Sequence, residues 1–183
     1  MEDLIIQCYN KYLNGDETGI EQIVEKFGEN LVYYVFNYTN NYEDAEDIMM
    51  DTFAIVLSKK HYLKNQKAFK TYLYKIARNK AIDFVRKHKK ILFAQDFVDN
   101  VEDINHFEKN LIKNEKQNQI LHHIYSLPKA YKEVVLLHFF EELSYEQIAI
   151  ILHKNKKQIY NIISRAKIIL KQKLKTEVYD ENN

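Results

Sequence analysis

A chain of 183 residues with 46% hydrophobic and 29% charged side chains is composed as a globular protein and has room for one domain or two small ones. Its single cysteine, Cys8, excludes an internal disulfide and a cysteine-based zinc cluster. No apolar run approaches the roughly 20 residues of a membrane span, and the N-terminal MEDLIIQCYN lacks a signal-peptide pattern, so a cytoplasmic protein is expected. Three glycines and one proline leave little turn material for strands, and the expected fold class is all-α.

The net charge of +1 hides segregation. Residues 1–65 carry −7, residues 66–91 carry +8, residues 92–126 carry −3 and residues 127–183 carry +3. Alternating blocks of this kind fit separate partners for separate segments.

In chain order, Leu4, Ile5, Cys8, Tyr9, Tyr12 and Leu13 mark a first short helix, broken by Asn14-Gly15-Asp16. Cys8 sits on its apolar stripe as a small hydrophobe. Ile20, Ile23, Val24 and Phe27 mark a second helix, with a stop or bend expected at Gly28, and Leu31, Tyr34, Val35 and Tyr38 mark a third. The next helix, Asp44 to Leu57, turns Ala45, Ile48, Met49, Thr52, Phe53 and Val56 inward. Asp44, Asp47 and Asp51 form an acidic ridge on another face. Acids near a helix start complement its positive end, and a ridge of them can also receive a basic partner.

Gln66 to Lys90 holds nine Lys/Arg against the single acid Asp83. Phe69, Leu73, Ile76, Ala77 and Phe84 supply a core stripe at helical spacing. Elsewhere on the helix are Lys75, Arg78 and Arg86, with Tyr72, Tyr74 and Asn79 between or beside them. Cations neutralise phosphates, and aromatic rings and amides stack on or hydrogen-bond to bases, so this helix is a nucleic-acid-binding candidate. A solvated basic face is the plainer alternative.

Periodicity dissolves from Ile91 to about Asn118, where Asp96, Asp99, Glu102, Asp103, Glu108 and Glu115 make an acidic linker. At about 3.3 Å per residue it could reach on the order of 90 Å, beyond two turns of duplex at roughly 34 Å each. The second half is compact. Leu127-Pro128 opens a helix carrying Tyr131, Val134, Val135 and His138 to Phe140. Ser144 with Gln147 is a capping-box signature for a helix burying Tyr145, Ile148, Ala149 and Leu152. A four-residue turn, His153 to Lys156, leads to a helix burying Ile159, Ile162, Ile163, Ala166, Ile169 and Leu170. His153 stands where a glycine often turns such motifs, and histidine tolerates positive φ. This is helix-turn-helix spacing, with Lys156, Lys157, Gln158, Tyr160, Asn161, Ser164, Arg165 and Lys167 outward on the groove-entering helix. Gln158 and Asn161 are the candidate adenine readers.

Two segments together resemble a known family. Asp44-Ala45-Glu46-Asp47-Ile48 with Thr52-Phe53, then Phe69 through Asp83, are similar to the second domain of bacterial RNA polymerase sigma factors. Leu127-Pro128, Glu133 to Leu137, Phe140 to Ala149 and Arg165-Ala166-Lys167 are similar to the fourth. The missing third domain points to the two-domain, extracytoplasmic-function group. The resemblance implies a sigma domain two over 1–90, a linker over 91–118, a helix-turn-helix sigma domain four over 119–176 and a polar tail over 177–183. It further implies that Asp44, Asp47 and Asp51 dock on the β′ clamp helices of core RNA polymerase. Tyr72, Lys75, Arg78, Asn79 and Arg86, with the His61–Ala68 loop, would grip and melt the −10 element. The outward residues from Lys156 to Lys167 would read −35 DNA beside the β flap, the acidic linker would run near the RNA exit path, and an anti-sigma protein would hold the factor inactive. No cofactor, metal or catalytic residue is implied. Met50-Asp51 stands where Gln-Glu is common, Leu57 where an aromatic is usual and Tyr72 where tryptophan is frequent. Tyr160 and Ile162 occupy places that are often basic, so a borrowed −35 sequence does not transfer.

Two rivals differ in class. A stand-alone helix-turn-helix regulator with an N-terminal dimerisation or sensing domain would bind its operator without polymerase. A helical enzyme would need chemistry that His122, His123, His138 and His153 do not offer, since they lack H-E-x-x-H spacing and adjacent histidines face apart.

Overall fold

The computed structural model describes residues 2–58, 67–92 and 123–180, and among them every regular element is helical. The chain forms two compact units, Met1–Asn100 and Val101–Asn183. Most of the expected linker and the loop from His61 to Gln66 lie outside the described residues.

The first unit has four helices: α1 (Glu2–Leu13), α2 (Thr18–Thr39), α3 (Tyr42–Ser58) and α4 (Lys67–Leu92). Its axis is α2, which runs unbroken through Gly28 and replaces the two helices expected there. A Cβ at Gly28 would sit 3.7 Å from Val24 and 3.8 Å from Met49, ordinary contact distances, so no close approach forces a bend. Every residue from Leu31 to Tyr38 is buried, and that burial outweighs the roughly 1 kcal/mol that a mid-helix glycine costs. Asn40 ends α2 in the left-handed region at φ 51°. The Asn41 side chain accepts from the Asp44 amide at 2.9 Å and so caps the start of α3.

Phe69, Leu73, Ala77 and Ala81 turn α4 into the core, while Ile76 and Phe84 are half-buried. Tyr74 joins the core: it is fully buried and meets Tyr34 edge-on at 5.1 Å, which removes it from the surface aromatics. Cys8 is buried too, its thiol donating to the Gln22 side chain at 3.1 Å.

The second unit contains α5 (Lys129–Val135), a π-helical turn (Leu136–Phe140), α6 (Tyr145–Leu152) and α7 (Lys156–Asp180). The helix expected to run on to Phe140 therefore changes winding at Leu136, and the Glu141 amide reaches back five residues to the Leu136 carbonyl at 3.2 Å. Leu137, Ile148, Ile151, Ile159 and Ile163 are fully buried. Ile124, Leu127, Val135, Leu136 and Ala166 form a second cluster, flanked by Tyr131, Ile169 and Leu170. Ile151 adds to the expected core, and Ile162 is only half-buried. The backbone of α7 stays helical to Asp180, into the stretch expected as a polar tail.

Candidate nucleic-acid interface

At 100° per residue, Tyr72, Lys75, Asn79 and Arg86 fall on one stripe of α4, opposite the core face. Asn79 and Arg86 are exposed; Tyr72 and Lys75 are half-buried. Ile82 completes the stripe, an apolar residue among cations and aromatics. Arg78 lies on one flank, half-buried. Arg86 pairs with Asp83 one turn earlier at 3.2 Å, an exposed i,i+3 pair that orients the guanidinium and contributes little to stability. Lys80 is on the other flank and reaches across to α3, donating to Asp51 at 2.6 Å.

That pair redraws the acidic ridge. Asp47 and Asp51 are both exposed, Asp51 on the flank where it meets Lys80 of α4, and Asp44 is half-buried at the capped start of α3. Desolvation raises the Asp44 carboxyl above its usual range, the nearby charges of Asp47 and Glu43 add to the rise, and His88 opposes it. The outward face of α3 consists of Glu43, Glu46, Asp47, Met50 and Ala54, with Met50 60% exposed. An exposed methionine among acids suits a partner that is basic with an apolar centre.

In the second unit Ser144 caps α6 by a reciprocal box: its hydroxyl accepts from the Gln147 amide at 3.3 Å and its own amide donates to the Gln147 side chain at 2.9 Å. His153 ends α6 in the left-handed region at φ 52°. A second box starts α7, where Asn155 accepts from the Gln158 amide at 2.8 Å and donates its own amide to the Gln158 side chain at 2.9 Å. Gln158 is thus occupied in setting the helix start. The sequence signal for this box is the N-x-x-Q spacing of Asn155 and Gln158, on a residue that also closes the preceding turn. Lys156 is ion-paired to Glu146 of α6, whose carboxyl lies below its usual range because Lys156 hydrogen-bonds to it.

The remaining outward side chains of α7 are arranged as a stripe. Lys157, Asn161 and Arg165 are exposed, Ser164 is half-buried, and Ile168, 58% exposed, extends the stripe one turn further. Tyr160 is 57% exposed and meets Tyr145 edge-on at 6.3 Å; Tyr145 in turn packs at 5.0 Å on His138. Lys167 lies over the Phe139 ring at 5.5 Å, a cation–π contact that ties α7 to the π-helical turn.

Sigma-70 region 2 matches residues 23–91, and Sigma-70 region 4 matches residues 117–170. The RNA polymerase sigma factor SigV of Bacillus subtilis is 32% identical over 142 residues, covering 78% of this chain and 82% of SigV. The chain belongs to the RNA polymerase sigma factors. SigW, an ECF sigma factor of the same organism, is 25% identical over 96% of this chain and 99% of its own length. With regions 2 and 4 in one short chain, this is a sigma factor of the extracytoplasmic-function group. It binds core RNA polymerase and directs transcription initiation at promoters.

The fold agrees. The sigma factor RpoE of Bartonella quintana, solved with the anti-sigma factor NepR, superposes with a TM-score of 0.67 at 20% identity, over 85% of this chain and 96% of RpoE. CnrH, solved with the cytosolic domain of CnrY, gives 0.62 at 19% identity, over 96% and 97% of the two chains. Region 2 covers α3 and α4, and region 4 covers the helix-turn-helix, whereas α1 and the extension of α7 past Leu170 lie outside both matches. Among the described residues no helix of this sigma factor is long and apolar enough to cross a membrane.

Proposed function

We propose that this sigma factor divides its work by helix: α3 docks on core polymerase, α4 opens the −10 element, and α6 with α7 reads the −35 element. The observation that carries this reading is the placement of acidic α3 beside basic α4 in one unit, joined at the Asp51–Lys80 seam while each keeps its own outward stripe. A partner held on one helix thereby sets where the other meets DNA.

On α3, Asp47 with Glu43, Glu46 and Met50 would engage the β′ clamp helices, and Asp44 and Asp51 would border that contact. On α4, Tyr72 offers a stacking surface, Asn79 a base-edge partner, and Lys75, Arg78 and Arg86 phosphate contacts. Unpairing and extruding bases costs a few kcal/mol per step, which stacking and phosphate neutralisation offset. On α7, Lys157, Asn161 and Ser164 enter the groove, Tyr160 supplies apolar contact, Arg165 and Lys167 serve the backbone, Lys156 stays paired with Glu146, and Gln158 holds the helix start. The β flap would meet the second unit, and the acidic linker would follow the RNA exit path. The protein itself performs no bond chemistry; transcript synthesis belongs to polymerase. It would act in the cytoplasm and be restrained by an anti-sigma protein, as RpoE is found with NepR.

Run-off transcription by core polymerase on a library of upstream sequences, with and without the protein, tests the reading. Start sites should appear only with it. Lys75→Ala with Arg78→Ala should abolish opening, read as permanganate-reactive thymines, while core affinity stays unchanged. Equal loss of core binding would refute the division between α3 and α4.

A further inference from the structure

Helix α1 lies outside the family match, which begins at residue 23, yet it touches every other helix of its unit. We propose that α1 is a strut that fixes the −10 helix α4 against the docking helix α3, with Tyr12 and Tyr9 as its two positioning residues. The proposal rests on the roles assigned to α3 and α4 above.

The geometry is specific. The Tyr12 hydroxyl donates to the Leu57 carbonyl at 3.3 Å. Leu57 is in the last turn of α3, where carbonyls have no partner within the helix. The Tyr9 ring, 2% exposed, lies 6.4 Å from Phe69 in the first turn of α4 and 6.3 Å from Tyr12. Phe27 of α2 closes on Phe69 at 5.9 Å. One helix therefore holds both ends of the connection between α3 and α4, one by a directional hydrogen bond and the other by an aromatic contact.

The strut is also held in place. A Cβ on Gly19 of α2 would fall 2.1 Å from the Cys8 carbonyl oxygen and 2.8 Å from the Tyr12 nitrogen, so α2 rests directly on the backbone of α1. Tyr9 and Tyr12 flank this crossing, which leaves α1 no freedom to slide along its neighbour. The hydroxyl of Tyr12 sets a distance, while its ring fills space, and a phenylalanine separates the two contributions.

The test uses the full-length protein with core polymerase on one promoter, as a duplex and with its −10 region already mismatched open. Lys75→Ala/Arg78→Ala is carried alongside. Tyr12→Phe should lower opening of the duplex about three- to tenfold, with core affinity and occupancy of the pre-opened template changed less than about twofold. Tyr9→Leu should act in the same direction and more strongly; if its helical circular dichroism is lost, Tyr12→Phe decides alone. Wild-type opening by Tyr12→Phe, or equal loss on both templates, would overturn the strut while leaving the role of α4 intact. Opening that survives Lys75→Ala/Arg78→Ala would overturn the role of α4 and the strut with it.

Discussion

The two helices proposed to meet DNA are prepared in opposite ways. On α4 the stripe of Tyr72, Lys75 and Asn79 lies away from the seam, and the neighbouring helices are braced by a residue on its flank, Lys80. On α7 the first turn is already engaged before any ligand arrives: Gln158 in the cap with Asn155, and Lys156 with Glu146. On the proposed division of roles, the helix that would follow deforming DNA keeps Tyr72, Lys75 and Asn79 outward, and the helix that would enter an intact groove has its start fixed in advance. Residue type alone does not reveal this difference, because Lys75 and Asn79 lie outward on α4 whereas Lys156 and Gln158 on α7 are engaged within the fold.

The comparison can be broken most forcefully in the first unit. Gly19→Ala would drive a methyl into the α1 backbone, with an expected cost of about 3 kcal/mol or more because that carbonyl cannot move aside. Hydrogen exchange should show protection lost in α1 and α2 but retained in α6 and α7. Loss of protection in both units would mean that the two do not unfold separately.

In the second unit the sharper test sets Gln158 against Asn161. Gln158→Ala should lower thermal stability by about 0.5–1 kcal/mol through loss of the reciprocal cap and leave the preferred −35 sequence unchanged. Asn161→Ala should leave stability intact and cost about 1–3 kcal/mol of discrimination at one base pair. A changed base preference in Gln158→Ala, found by selection from a randomised −35 library, would return that side chain to the groove.

The smallest effect concerns Lys156. Glu146→Gln removes its ion partner and should steepen the salt dependence of −35 duplex binding by about one phosphate contact. Because the folded state holds the Glu146 carboxyl below its ordinary range, the pair's contribution is present at neutral pH and is lost as pH falls through that lowered value. A salt slope identical to the wild type at neutral pH would show that Lys156 already reaches phosphate.

Much of the fold was legible because it depends on local pattern. The box of Ser144 and Gln147, the left-handed His153 and the inward stripe of α3 all follow from residues within a few positions of one another. Gly28 misled because its local penalty is real but is outweighed by the burial of Leu31 to Tyr38, a tertiary effect. The π-helical turn at Leu136 has no periodic signature over five residues. At the site, the cations and aromatics could be enumerated, but their engagement could not. Asp51 and Lys80 are 29 positions apart, and Lys156 meets Glu146 only because α6 and α7 cross. Tyr74 and Tyr72 are equally aromatic but lie about 200° apart on the helix, so Tyr74 falls on the core side, where it meets Tyr34, and Tyr72 is half-buried on the outward stripe.

The bond from Tyr12 to Leu57 spans 45 positions, and that separation has a temporal side. Helix α1 is synthesised well before the surfaces it clasps, and at about 5–20 residues per second it waits seconds for them. Helix α2 covers part of the α1 face soon after it is made, but the Tyr12 hydroxyl and the Tyr9 ring wait for their partners, while α6 and α7 find each other almost as soon as both exist. The contacts of Tyr12 and Tyr9 can therefore close only once Leu57 and Phe69 have been made, so α1 sets the junction of α3 and α4 late in the assembly of its unit.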